Sequence, residues 1–546
     1  MRYIKSYSNT TDLRTDLDDG KLDHPYVAKI NDTIDFDSIG TNWKKKYFTI
    51  IALTDGTISY SHKEGSNPMF YSINEGEWIE TTVSVDIPVS KNDMIRFKSN
   101  RGNQAYNQET FTSGGTAQFE VAGNLMSLVA GDDFATYVPN TNATGTDGEL
   151  YCSFKNFFKD CTGLTSAKNL IIKYCDNESF SNFFNGCANL QIPPKLPATT
   201  LAERCYEYMF YGCSNLTTAP ALPATTLADY CYQSMFGGCM SLITAPKLPA
   251  TTLAKSCYEY MFRDCTNLTS APALPAMTLA QNCYSMMFYN CINLTTAPEL
   301  PATTLAQGCY SQMFWSCTSL TVAPELPATT LASNCYDEML YGTNVLPDCS
   351  NIDFASSTVV TSGGLIGLFA GTKVTDNELE RLLPKNDNGK YYLPVTTLAD
   401  NCYSNMFQGC TKLTQAPVLP ATTLKFRCYA SMFAGCTSLT KAPELPATTL
   451  ENMCYSSMFQ GCTSLTTAPE LPATTLNVMC YSHMFYNCTS LNYIKCLATN
   501  ISAFYCTSSW VSGVSSTGTF VKNPNMTSWA EGKDGIPTGW TVVNNS

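Results

Sequence analysis

Histidine is almost missing from this chain. It occurs three times in 546 residues, as His24, His62 and His483, each isolated and the last at a variable position. A Ser-His-Asp or Cys-His nucleophile is therefore not expected. With no CxxC pair and so few imidazoles, a zinc centre is not expected either. Charge is also scarce: Asp, Glu, Lys and Arg make up 14% of the chain, and 45 acids against 33 bases give a net charge of −12. No basic stripe exists to neutralise phosphates, which argues against nucleic acid as a partner. No apolar run approaches the roughly 18 residues of a membrane span. The opening MRYIKSYSNT has no apolar h-region and does not read as a secretory signal. Dinucleotide, P-loop, HExxH and EF-hand signatures are missing, and no carboxylate pair stands out for glycoside hydrolysis. These absences leave no expectation of catalysis, cofactor or metal. No coiled-coil heptads are present, so a homo-oligomer is neither indicated nor excluded.

What fills the chain is repetition. From residue 152 to 495 run about thirteen variants of the 26-residue unit LPATTLAxxCYxxMFxGCTSLTxAP. Such regularity implies stacked units that complete one another's core, a solenoid. Thr343 and Thr372 stand in the second cysteine column of two degenerate units. Between residues 345 and 395 an insertion of about 15 residues, including TDNELERLLPKNDNGK, is expected to loop out of the stack. Within a unit, Thr200 followed by Glu203 has capping-box spacing, as do Thr226, Thr278, Thr304 and Thr397 with their partners. Cys205 and Met209, like Tyr206 and Phe210, are i,i+4 neighbours, so a short helix is expected there. A column of Gly, Asn or Asp (Asp160, Gly186, Gly212, Gly238, Asp264, Asn290, Gly342, Gly371, Gly409, Gly435, Gly461, Asn487) suits positive φ at its end. The CTSLTxAP segment should add one short strand per unit to a parallel sheet, ended by its proline. The resulting fold class is an α/β leucine-rich-repeat solenoid of parallel strands and short helices, preceded by a small β-sandwich.

GCTSLT, the aromatic and Met positions before it, and LPxTTL together resemble the BspA-like leucine-rich repeat family, whose units read approximately sIgxxAFxgCtsLtsIxiP. The likeness extends over about two thirds of the chain. This sequence departs from it by three extra residues per unit, with CYxxMF replacing a shorter AF-centred segment. The resemblance implies a bacterial or parasite surface adhesin or binding scaffold rather than any one ligand.

Most of the 26 cysteines fall in two columns eight residues apart. The second contains Cys213, Cys239, Cys265, Cys291, Cys317, Cys410, Cys436, Cys462 and Cys488. Core-facing positions favour a buried thiol ladder. Pairing within a unit remains geometrically open, although the threonine replacements would then strand partners such as Cys335.

Residues 26–139 alternate with period two between turn signals and read as the β-sandwich. Residues 140–151 read as a linker, and 496–546 as a C-terminal cap carrying Trp510, Trp529 and Trp540. These tryptophans cover the last unit or, alternatively, bind carbohydrate. SINEGEW, NDMIRFKSN, GTFVKNPNMTSW and GIPxGWTV look like segments of repeat proteins from gut Bacteroidales and their phages. The first 25 residues resemble N-terminal segments of Bacteroides phage structural and fibre proteins, which implies anchoring to other virion proteins. An adhesin-type array without an export signal fits a virion protein of the crAss-like phage type, because lysis releases it and a reducing cytoplasm suits free thiols. The expectation is therefore a non-enzymatic phage surface protein, a fibre or decoration, that presents its repeats to a host surface protein or glycan. A bacterial cell-surface adhesin and a purely structural decoration protein are the alternatives. If the array binds a ligand, the variable column after the repeat's Phe is the place to look: Tyr211, Arg263, Tyr289, Trp315, Tyr341 and Tyr486. Rings there either stack on sugars or pack on the neighbouring unit.

Overall fold

A computed structural model describes residues 47–99, 110–134, 154–346 and 365–545, apart from residues 113, 173–174 and 528. Before residue 47 it describes only three short strands, β1 (Lys5–Tyr7), β2 (Ala28–Ile30) and β3 (Thr33–Ile34). Apart from β1, the expected anchoring segment 1–25 lies outside the described residues, as does the linker 140–151. Regular structure is mostly strands in sheets, with few helices. The chain divides into two compact units, Met1–Ala198 and Thr199–Ser546.

In the first unit, β4 (Phe48–Ala52), β5 (Gly56–Ser61), β6 (Met69–Ile73), β7 (Ile79–Thr81), β8 (Val85–Val89), β9 (Met94–Lys98), β10 (Thr110–Phe111), β11 (Phe119–Asn124) and β12 (Leu164–Ile171) form two sheets, ordered β10-β5-β8 and β12-β11-β4-β9-β6-β7. β9 alternates as its sequence suggests, with Ile95 and Phe97 buried. Phe48 and Phe97 of the larger sheet meet Phe111 of the smaller one, at ring separations of 5.9 and 5.2 Å. Phe111 also stacks on Phe158, 5.4 Å away. Through β12, which pairs parallel with β11, the first repeats share the core of the β region.

The second unit holds the rest of the repeat array. In each repeat the N–H groups of the CYxxMF segment alternate between two destinations. Cys205, Glu207, Met209 and Tyr211 donate to carbonyls three residues back, whereas Arg204, Tyr206, Tyr208, Phe210 and Gly212 donate to Asp229, Cys231, Gln233, Met235 and Gly237 of the next repeat at 2.7–3.0 Å. The expected short helix is therefore not formed, and the segment is a run of turns. Every fourth residue has positive φ, as at Arg204 (53°), Tyr208 (54°) and Gly212 (71°). A helix would keep these bonds within one short segment of marginal stability. The turns instead direct half of them across the repeat boundary.

The remaining helical signals change meaning accordingly. The threonines expected to cap form parallel bridges between repeats, among them Thr200 with Thr226, Thr252 with Thr278 and Thr397 with Thr423. The CTSLT segments likewise meet by single parallel bridges, such as Thr218 with Thr244 and Gln415 with Lys441, rather than as full strands. The Gly/Asn/Asp column does take positive φ at all twelve positions named above.

Inside, the repeats superpose like on like. Phe236, Phe262, Phe288 and Phe314 stack with ring separations of 5.6–5.7 Å, and Tyr258, Tyr284 and Tyr310 at 5.7–5.8 Å. Burying each such ring contributes about 2–3 kcal/mol. Phase survives the insertion: Phe369 stacks on Phe407 at 5.4 Å, and the hydroxyls of Thr343 and Thr372 donate to Leu340 O and Phe369 O, both at 2.7 Å. The insertion itself corrects the expectation that it loops out. It forms helix α1 (Asp376–Leu382), with Leu379 buried and the Glu378 carboxylate accepting the Thr375 N–H at 2.8 Å. Asp376 accepts the N–H groups of Thr414 and Gln415 at 3.0 and 3.1 Å, which fastens the helix to the strand segment of the following repeat. One carboxylate satisfying two edge donors explains why a charged segment lies against the array. The C-terminal segment ends in a parallel sheet of β13 (Tyr493–Cys496), β14 (Thr519–Lys522) and β15 (Thr541–Asn544).

Candidate functional site

The variable column owes its freedom to its backbone. The carbonyls of Arg263, Tyr289, Trp315, Tyr341, Gln408, Ala434, Gln460 and Tyr486 each accept an N–H from the preceding repeat at 2.6–2.8 Å. The main chain is thus held whatever the side chain is. One side chain per repeat is presented in register, and its chemistry is left open.

Four of the six candidate residues come together. The Arg263 guanidinium lies 5.2 Å from the Tyr289 ring centre and pairs with Asp264 at 3.2 Å. Tyr289 stacks on Trp315 at 4.5 Å with 1° between planes, and Trp315 on Tyr341 at 5.3 Å with 6°. Trp315 is therefore sandwiched, and its faces are occupied by protein. Of the two uses weighed for these rings, packing on the neighbouring repeat is the one realised at Trp315. Tyr211 and Tyr486 stand apart. Tyr211 is 37% exposed and leans over Gly237, where an added Cβ would come within 2.8 Å of its ring. Tyr486 packs near His483 at 5.7 Å.

Beyond Tyr341 the column changes character. A shallow trough of about 340 Å3 opens there, lined by Tyr341, Gln408, Ser431, Ala434, Gln460 and Asn487 over a floor of Gly409, Gly435 and Gly461. The glycines lie over one another: a Cβ added to Gly435 would sit 3.6 Å from the Gly409 Cα. Where other repeats put Asp264 or Asn290, these place only a hydrogen. Sequence reasoning missed this trough because it looked for aromatics. The available signal was Gln, Ala, Gln in the variable column beside a run of glycines from Gly342 through Gly371, Gly409 and Gly435 to Gly461.

The thiol column is chemically quiet. Cys239, Cys265, Cys291, Cys317, Cys410, Cys436, Cys462 and Cys488 are buried free thiols. Their Sγ atoms lie 2.9–3.1 Å from the Phe carbonyl of the preceding repeat. Cys213, in the same column, is fully buried. Burial pushes Cys317 and Cys410 up to about 12, so both stay protonated and unreactive near neutrality. Burial, assisted by neighbouring Glu338, raises Asp337 to about 7. Ser482 Oγ lies 2.9 Å from His483 Nδ1, a contact between adjacent residues. Among the described residues no His, Cys, Asp and Glu cluster could hold a metal ion, and no helix is long and apolar enough to cross a membrane. Trp510 is buried between Tyr481 (6.2 Å) and Trp529 (5.6 Å), and its indole N–H donates to Gly535 O. Trp540 is 7% exposed. Neither Trp510 nor Trp540 offers a free face, so covering the last repeat is the role their burial supports.

No curated protein and no solved structure matches the chain. The profile of the BspA type leucine-rich repeat region does match, in six copies, over residues 154–269, 181–321 and 399–515, together a little more than half of the sequence. It falls on stacked, register-keeping repeats, and the chain belongs to the BspA type leucine-rich repeat family.

Proposed function

We propose that this chain is a non-enzymatic, adhesin-type display protein, with its repeats running as a solenoid and its variable column turned toward a host surface. The observation that carries this reading is the division of labour in that column. Backbone carbonyls are tied to the preceding repeat at 2.6–2.8 Å, while side chains range from Arg263 through Trp315 to Ala434. A scaffold that fixes the main chain of one position per repeat and leaves its side chain free to vary is suited to recognition. Membership of the BspA type family is consistent with a surface adhesin-type protein.

The carrier we propose is a phage particle, with the N-terminal segment contacting other virion proteins. The buried free thiols support assembly in a reducing cytoplasm. The second reading, a bacterial cell-surface adhesin, is favoured by the family itself. Mass spectrometry of purified particles and of cell envelopes separates the two carriers. Binding of the purified full chain to host cells tests display, and failure to bind cells or any particle would remove the adhesin reading.

A further inference from the structure

We infer that the trough between Tyr341 and Asn487 is a binding site for a neutral, extended oligosaccharide. This inference rests on the display reading and gives it a ligand class and a location. The trough is a feature of successive repeats, so its long direction follows the array and suits a linear ligand. Its volume of about 340 Å3 lies at the lower end of the range for small-ligand sites, about 300–1,000 Å3.

The lining decides the chemistry. Gln408, Gln460 and Asn487 bring side-chain amides and Ser431 a hydroxyl. Each of these groups both donates and accepts hydrogen bonds, as sugar hydroxyls do. Tyr341 adds an aromatic wall against which the C–H face of a pyranose can rest. No charged side chain lines the space. A phosphate, sulfate or carboxylate ligand would enter without a counter-charge, at a desolvation cost that nothing present offsets. The glycine floor removes the side chains that would block entry. The aromatic row Tyr289–Trp315–Tyr341 is a poorer site, because stacking at 4.5 and 5.3 Å already uses its inner faces.

The test is an array of neutral and acidic glycans probed with the full-length protein, followed by titration with linear neutral hexasaccharides of glucose and of mannose. Wild type should bind neutral chains. Ala434→Arg should reduce affinity at least tenfold by filling the trough, and the repeat tolerates it because Arg263 occupies the same column elsewhere. Gln460→Ala should reduce affinity about fivefold, the equivalent of one hydrogen bond of about 1 kcal/mol. Circular dichroism checks that both variants remain folded, and Glu299→Ala, at an exposed position outside the variable column, should bind as wild type does. Binding only to acidic glycans, only to peptides, or equally by Ala434→Arg overturns the inference. A wild-type chain that binds host cells but no neutral glycan refutes the inference and leaves the display reading standing. One that binds neither cells nor glycans refutes both.

Discussion

Position 457 distinguishes the two conformations that the CYxxMF segment could adopt. Ser457 lies in the middle of the run once expected to be helical, yet its φ is 55° and its N–H donates to Ser482 O of the next repeat at 2.8 Å. Ser457→Gly and Ser457→Ala both delete the hydroxyl and differ only in the Cβ, so comparing them isolates the backbone preference. In a left-handed conformation a Cβ costs about 1–2 kcal/mol, offset by the about 0.5–1 kcal/mol of extra chain entropy that glycine loses on folding. The glycine variant should therefore be the more stable by about 0.5–1 kcal/mol. In a helix interior the order reverses, with alanine better by about 0.8–1.0 kcal/mol. A long repeat array departs from two-state unfolding, so a single melting temperature is a poor readout. Amide hydrogen exchange over residues 454–462 reports the local opening instead, and the glycine variant should exchange about two- to fivefold more slowly than the alanine variant. Slower exchange in the alanine variant would refute the alternating-turn description of the repeat.

Other expectations concern the interior. Phe288→Ala removes a ring stacked at 5.7 and 5.6 Å on both neighbours and should cost about 3–5 kcal/mol. Its effect should be confined to exchange in the adjoining repeats, as expected for a nearest-neighbour array. The ladder thiols, pushed up by burial, should resist a thiol reagent in the native chain and react in denaturant without added reductant; a requirement for reductant would mean disulfides. The folded-state value of Asp337, about 7, lies above its unfolded value of about 4, so stability falls as pH rises between them. Asp337→Asn should therefore stabilise the protein in denaturant titrations at pH 8, with the gain shrinking toward pH 4; a gain independent of pH would contradict the burial of that carboxyl.

The period of 26, its phase across Thr343 and Thr372, and the column of Gly, Asn and Asp at positive φ were legible because they are single-residue facts repeated many times. The helix was misread because a turn recurring every four residues imitates i,i+4 spacing. A signal was available: an α-helix rotates positions four apart by about 40°, so Cys205, Met209 and Cys213 would drift about 80° around it. All three are fully buried, as are Tyr206 and Phe210. The other two columns of positive φ were hidden by residues such as Arg204, Tyr208 and Met286, which no local rule places there. Their strain of about 1–2 kcal/mol each is tolerated because the conformation sends an N–H to the next repeat. That benefit exists only when the next repeat is present.

At the candidate site, the chain order alone marked Tyr289, Trp315 and Tyr341 as a row, since identical registers must superpose. It could not decide whether their faces were open, because that depends on ring separation across repeats. Nor did it reveal the trough, which is defined by what Gly409, Gly435 and Gly461 leave empty rather than by what they contribute. Periodicity and residue type thus determined which positions align and which face the core, because burying an apolar column requires like to lie on like. Only the tertiary structure decided how each N–H was satisfied and where surface remained open, because both depend on the neighbouring repeat's distance and orientation.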